Sequence, residues 1–121
     1  MHATLLSRLG GRDAIEAVVA LFYQRVLEDS ELVPFFRGVS MTRLQQLQAD
    51  LFCSALGGPP WKGRDLKSVH AGLRIHDHHF DRVAIRLQVA LEEAKVSGPR
   101  IRHILELVGT LRGQIVTVPK S

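Results

Sequence analysis

An all-α fold in one domain, residues 1–121, is what this sequence predicts, and three observations predict it. Apolar residues recur at helical spacing between glycine and proline marks, and strand-like alternation appears over no useful length. The third is size: 121 residues, 45% of them hydrophobic, suffice to close one core.

The elements follow in order. After Gly10-Gly11, the residues Ile15, Val18, Val19, Phe22 and Val26 share one helix face. Val33 to Phe36 forms a short apolar turn with a proline inside it. Ser40 is placed to cap the next helix, whose stripe is Met41, Leu44, Gln48, Leu51, Phe52 and Ala55. Gly57-Gly58-Pro59-Pro60 ends that helix and opens a loop. Leu66 to Leu73 supplies about two turns. Asp77 is the expected cap of a fifth segment with Phe80, Val83, Ala84, Leu87, Leu91 and Ala94 as its stripe. Gly98-Pro99 restarts a helix that carries Ile101, Ile104, Leu105, Val108, Leu111 and Ile115 on one side. Four long helices with short joints result.

Composition narrows the function. No stretch reaches the roughly 18–20 apolar residues that span a bilayer, and the first residues lack the apolar block of a secretory signal. A soluble, cytoplasmic protein is expected. Cys53, the one cysteine, excludes an internal disulfide and any multi-cysteine metal site, and its apolar neighbours make it a small buried hydrophobe. The net charge of +4 comes from basic residues spread along the chain with few aromatics among them, which is a solvated surface rather than a nucleic-acid face. No phosphate loop, Ser/His/Asp set or HExxH motif is present.

Three polar residues interrupt apolar faces. Tyr23 lies four after Val19 and three before Val26, so its phenol needs a partner, a nearby carbonyl or something bound. Gln48 sits mid-stripe between Leu44 and Leu51. A buried amide without partners costs about 1–3 kcal/mol, so the Tyr23 hydroxyl, a ligand or water must answer it, unless Gln48 lies at the stripe's edge. His70, four after Leu66 and three before Leu73, is a satisfied core histidine or an iron ligand. His76, His78 and His79 invite a zinc reading, but no carboxylate pair or cysteine joins them in sequence, and a solvated helix start is expected instead. His103 is expected on the surface.

These residues, in this order, resemble a group I truncated haemoglobin from about Leu5 to Ile115. The resemblance is carried by Leu9-Gly10-Gly11, Phe22-Tyr23 with Arg25-Val26-Leu27, Pro34-Phe35-Phe36, Leu44 with Gln48, Ala55-Leu56-Gly57-Gly58-Pro59, and Val69-His70-Ala71-Gly72 with His79-Phe80. It implies a truncated globin-like 2-over-2 helical sandwich around a haem b, iron protoporphyrin IX. His70 then takes the proximal place and ligates the iron, while Tyr23, Gln48 and Leu44 form the distal side. Phe36 packs on the haem face and Phe52 lines an apolar tunnel. Leu51, Leu66 and Phe80 complete the haem contacts. Arg43, Arg74 and Lys62 are open as partners of the propionates.

Three departures refine the expectation. Leu47 stands where some relatives carry a second iron-ligating His or Lys, so a five-coordinate iron is implied. Leu73-Arg74 departs from the Leu-Gly common in the family. No histidine sits late in the last helix, so covalent haem attachment is not implied.

The resemblance implies reversible binding of oxygen, with nitric oxide and carbon monoxide as further ligands. Bound oxygen gathers negative charge, so preorganised donors in a dry pocket hold it tightly. An alternative on the same site is conversion of nitric oxide to nitrate, which needs a reductase to recycle ferric iron. A remote alternative is a haem-free basic helical domain for nucleic acid, which would leave Gln48 and His70 unexplained and show salt-dependent affinity.

Overall fold

Helix α2 is the hinge of the architecture, because two of the other long helices pack directly on it. The computed structural model describes residues 4–59 and 66–118, apart from the side chains of Leu66 and Ser68. It holds α1 (Leu5–Arg8), α2 (Gly11–Leu27), a 3-10 turn (Val33–Phe36), α3 (Met41–Ala55), α4 (Leu66–His70), α5 (Asp77–Glu93), α6 (Gly98–Gly109) and α7 (Arg112–Ile115). Helix α2 packs on α3 and on α5, and α5 packs on α6. The pairs α2/α3 and α5/α6 are the two layers of the sandwich. Among the described residues no strand occurs.

On α2 and α5 the stripes read from sequence are the faces that pack, whereas on α3 the buried residues are Ala49 and Cys53, beside the expected stripe. Ile15, Val18, Val19, Phe22, Tyr23 and Val26 are buried on α2, and Phe80, Leu87, Ala90 and Leu91 on α5. Ser40 caps α3 as expected, its hydroxyl accepting the Arg43 amide at 3.4 Å. The glycine pair after α3 answers a close approach. A Cβ on Gly58 would sit 2.7 Å from the Cys53 carbonyl oxygen, and Gly57 has φ +101°. That turn also receives α1, through the Leu6 amide on the Leu56 carbonyl at 3.0 Å.

Three local expectations are corrected. Helix α4 stops at His70 instead of running to Leu73, because the chain turns left-handed at Gly72 (φ 83°) and Arg74 (φ 56°). His76, not Asp77, holds the cap position of α5. Asp77 lies in the first turn and accepts from Arg112 at 3.0 Å. The last stripe is divided between two helices, since α6 ends at Gly109 and α7 begins at Arg112.

Two long-range ties position the segments near the centre. The Asp29 carboxylate, fully buried, accepts hydrogen bonds from Arg82 at 3.0–3.1 Å, from Arg86 at 3.1 Å and from the Glu31 amide at 2.9 Å. It locks the end of α2 to α5. Near the C-terminus, Thr117 clasps the loop after α4. The Ile75 amide donates to Thr117 Oγ1 at 3.0 Å, and the Thr117 and Val118 amides donate to the Ile75 carbonyl at 2.9 and 3.0 Å.

Candidate functional site

Between the two layers lies a cavity of about 400 Å³, within the size range of small-molecule and cofactor sites. Every long helix contributes a wall, and α4 closes one side with Val69 and His70. Nearly all the lining is aliphatic or aromatic. The polar side chains on it, among the described residues, are Tyr23, Gln48, His70 and His79. Three of these four are the residues that interrupt apolar faces in the sequence.

Of the residues expected to build the site, Tyr23, Leu44, Gln48, Leu51, Phe52, Phe36, His70 and Phe80 all line this one cavity. Arg43 is exposed on the first turn of α3 and is not part of the lining. Arg74 is exposed as well. The Leu66 side chain and Lys62 lie outside the described residues. Leu47 is 42% exposed, a position open to solvent.

Tyr23 is held by packing. Its ring meets Phe22 edge-on at 4.8 Å and Phe36 at 5.8 Å, and the residue is only 4% exposed. Burial pushes its phenol well above the ordinary value, so it stays a protonated donor. The hydroxyl meets no hydrogen-bonding group among the described residues, yet no sealed polar side-chain atom there lacks a partner. It must therefore open on the cavity. Gln48, half-buried, likewise makes no hydrogen bond to Tyr23 or to any other described residue. The answer to the two donors is whatever fills the space between the walls.

His79 is a wall residue at a position where the sequence predicts a solvated helix start. The signal was present: it lies four before Val83 and so shares that residue's face. Its Nδ1 accepts the His76 amide at 3.0 Å, and its ring meets Phe35 edge-on at 4.8 Å. Burial, then the neighbouring His78 and His76, holds its imidazole below the ordinary value.

The mouth of the cavity is apolar. Val39, Val69 and Leu73 line it while remaining 41%, 43% and 43% exposed. Aliphatic side chains ringing an apolar hollow suit an occupant that is large and largely apolar and that reaches the surface. With an inward histidine in one wall and two hydrogen-bond donors in others, the cavity has the donor set for an iron porphyrin.

Comparison with known proteins gives a consistent result. The bacterial-like globin family matches residues 4–117. A group 1 truncated haemoglobin from Mycolicibacterium paratuberculosis is 43% identical over 116 residues, covering 95% of this chain and 85% of the relative. The crystal structure of truncated haemoglobin from Tetrahymena pyriformis in its Fe(III) form superposes with a TM-score of 0.90 at 30% identity, covering 96% of this chain and all of the other. The 2/2 haemoglobin of a Synechococcus species, in the cyanomet state and with covalently attached haem, gives a TM-score of 0.90 at 32% identity, with 94% and 98% of the two chains covered.

Proposed function

This chain belongs to the bacterial-like globin family as a group 1 truncated haemoglobin, a haem-binding globin, and from that premise we propose that it binds oxygen reversibly at a b-type haem held by His70. When bound, the haem supplies an iron atom that takes up a diatomic gas. His70, in the cavity wall, would be the residue that holds the haem iron. Leu47, exposed and aliphatic, offers no second ligand.

Tyr23 and Gln48 do the rest. A single observation carries the reading: both are polar, both face the cavity, and neither hydrogen-bonds within the described protein. The Tyr23 hydroxyl and the Gln48 amide would donate to a gas held in the cavity, and the apolar lining would keep competing water away and so strengthen those bonds. Phe36 fixes the Tyr23 ring from its side. Leu44, Leu51, Phe52 and Phe80 supply dry contact, and Phe52 lines the route by which gas enters. Arg43 and Arg74, both exposed, stay open as partners of the haem carboxylates. Carbon monoxide and nitric oxide would be further ligands for the same cavity, and a reductase would be the partner expected of a gas-binding haem.

The test is spectroscopic. The protein supplied with haem should show an intense Soret band and a five-coordinate ferrous spectrum. His70→Gly should lose that spectrum, and added imidazole should restore it by filling the vacated place. A wild-type chain that takes up no haem, or a His70→Gly variant with an unaltered ferrous spectrum, overturns the assignment.

A further inference from the structure

The histidines at the start of α5 look, in sequence, like a solvated helix end because no carboxylate accompanies them. The fold supplies one. Glu31, in the joint after α2, comes to lie against His78 and His79, and one ligand atom from each of the three lies within 4.8 Å of the others. His78 Nε2 stands 4.0 Å from Glu31 Oε2. We propose that Glu31, His78 and His79 form a second metal site, beside the haem cavity whose wall His79 also joins, for a divalent ion of borderline softness such as zinc.

The donor set is two imidazoles and a carboxylate, which suits zinc, with water completing the shell. Metal–ligand bonds of about 2.0–2.1 Å in a tetrahedral shell place ligand atoms about 3.3 Å apart. The gap to close is on the order of an ångström. Glu31 and His78 have the freedom to close it, their side chains being 53% and 61% exposed.

The two halves of the site are held together independently of any metal. The Glu31 amide donates to Asp29 Oδ1 at 2.9 Å, and the same carboxylate is gripped by Arg82, one turn beyond His79 on α5. The Asp29–Arg82 lock therefore fixes the backbone that carries Glu31 against the helix that carries both histidines. His79 is further oriented by Phe35.

Other features set the strength. A metal on His79 must displace or compete with the His76 amide, and the N-terminus of α5 and the Arg82 guanidinium both repel a cation. A loosely held, exchangeable ion with a dissociation constant on the order of micromolar is the consequence, far weaker than a buried structural zinc.

Zinc chloride titrated into the haem-loaded protein by calorimetry, in metal-free buffer at pH 7.5, tests the assignment. One ion per chain should bind. Glu31→Gln and His78→Ala should each weaken binding by tenfold or more, while His103→Ala, exposed on α6, should leave it unchanged. Circular dichroism of the first two variants should match the parent, since both side chains are solvent-facing. The absence of zinc binding, or binding that Glu31→Gln leaves intact, overturns the proposal.

Discussion

Replacing Tyr23 by Phe removes one oxygen atom from a ring that is otherwise packed, and the structure separates the consequences for folding from those for function. The ring contacts with Phe22 and Phe36 survive the change, because they are made by the edges and faces that Phe shares with Tyr. No hydrogen bond within the described protein is lost, because the hydroxyl makes none there. Folding stability should thus stay within about 0.5 kcal/mol of the parent. Gas binding should not. A donor aimed at an acceptor that gathers negative charge contributes about 1–3 kcal/mol, which corresponds to about a 5- to 150-fold rise in the oxygen dissociation rate. Stopped-flow displacement of oxygen by carbon monoxide measures that rate, and thermal unfolding of the same samples measures stability. Carbon monoxide release should change less, since that ligand develops less charge. An oxygen dissociation rate that is unchanged in Tyr23→Phe, with Gln48 present, refutes the donor role of the hydroxyl.

Three other perturbations probe the frame around the cavity. Arg74→Gly should raise stability by about 0.5–1 kcal/mol in thermal unfolding, because the position has φ 56° and glycine adopts it without the side-chain clash. Asp29→Asn should lower stability by about 1.5–3 kcal/mol in urea titration, as the charge-assisted bonds to Arg82 and Arg86 weaken. Burial works against ionisation of Asp29, but Arg82, the Glu31 amide and Arg86 outweigh it and hold the carboxyl below its ordinary value. Its stabilisation is therefore complete above the ordinary carboxylate range and lost as pH falls through that depressed value, so the parent and Asp29→Asn should converge in stability in acid titrations below about pH 4. Thr117→Val orphans the buried Ile75 amide, and haem transfer to an apomyoglobin acceptor should speed up, with Thr117→Ser restoring the parent rate.

Sequence carried far where the determinants are local. Helical periodicity placed the four long helices, and the three polar residues on apolar stripes, Tyr23, Gln48 and His70, all line one cavity. Arg74, a departure from the Leu-Gly common in the family, occupies a left-handed backbone that glycine would suit. The remainder depends on partners far apart in the chain. Asp29 carries no sequence signal, because its partners Arg82 and Arg86 lie 53 and 57 residues on. Glu31 likewise meets His78 only in the folded chain. The Thr117 clasp on Ile75 spans 42 residues and has no periodic signal at either end. The shift of the α5 cap from Asp77 to His76 has the same origin, since Asp77 is drawn to Arg112.

The cavity walls and the hydrophobic core share residues. Phe22, Tyr23, Val26, Leu32, Leu56, Leu87 and Ile104 belong to both. The cofactor is thus an interior constituent, completing a nucleus that the polypeptide supplies only in part. Ligand linkage follows: each tenfold excess of free haem over its dissociation constant adds about 1.4 kcal/mol to the folded state. In a haem-starved cell the chain should accumulate as a loosened, protease-sensitive form, so that the abundance of the protein itself tracks the supply of iron porphyrin.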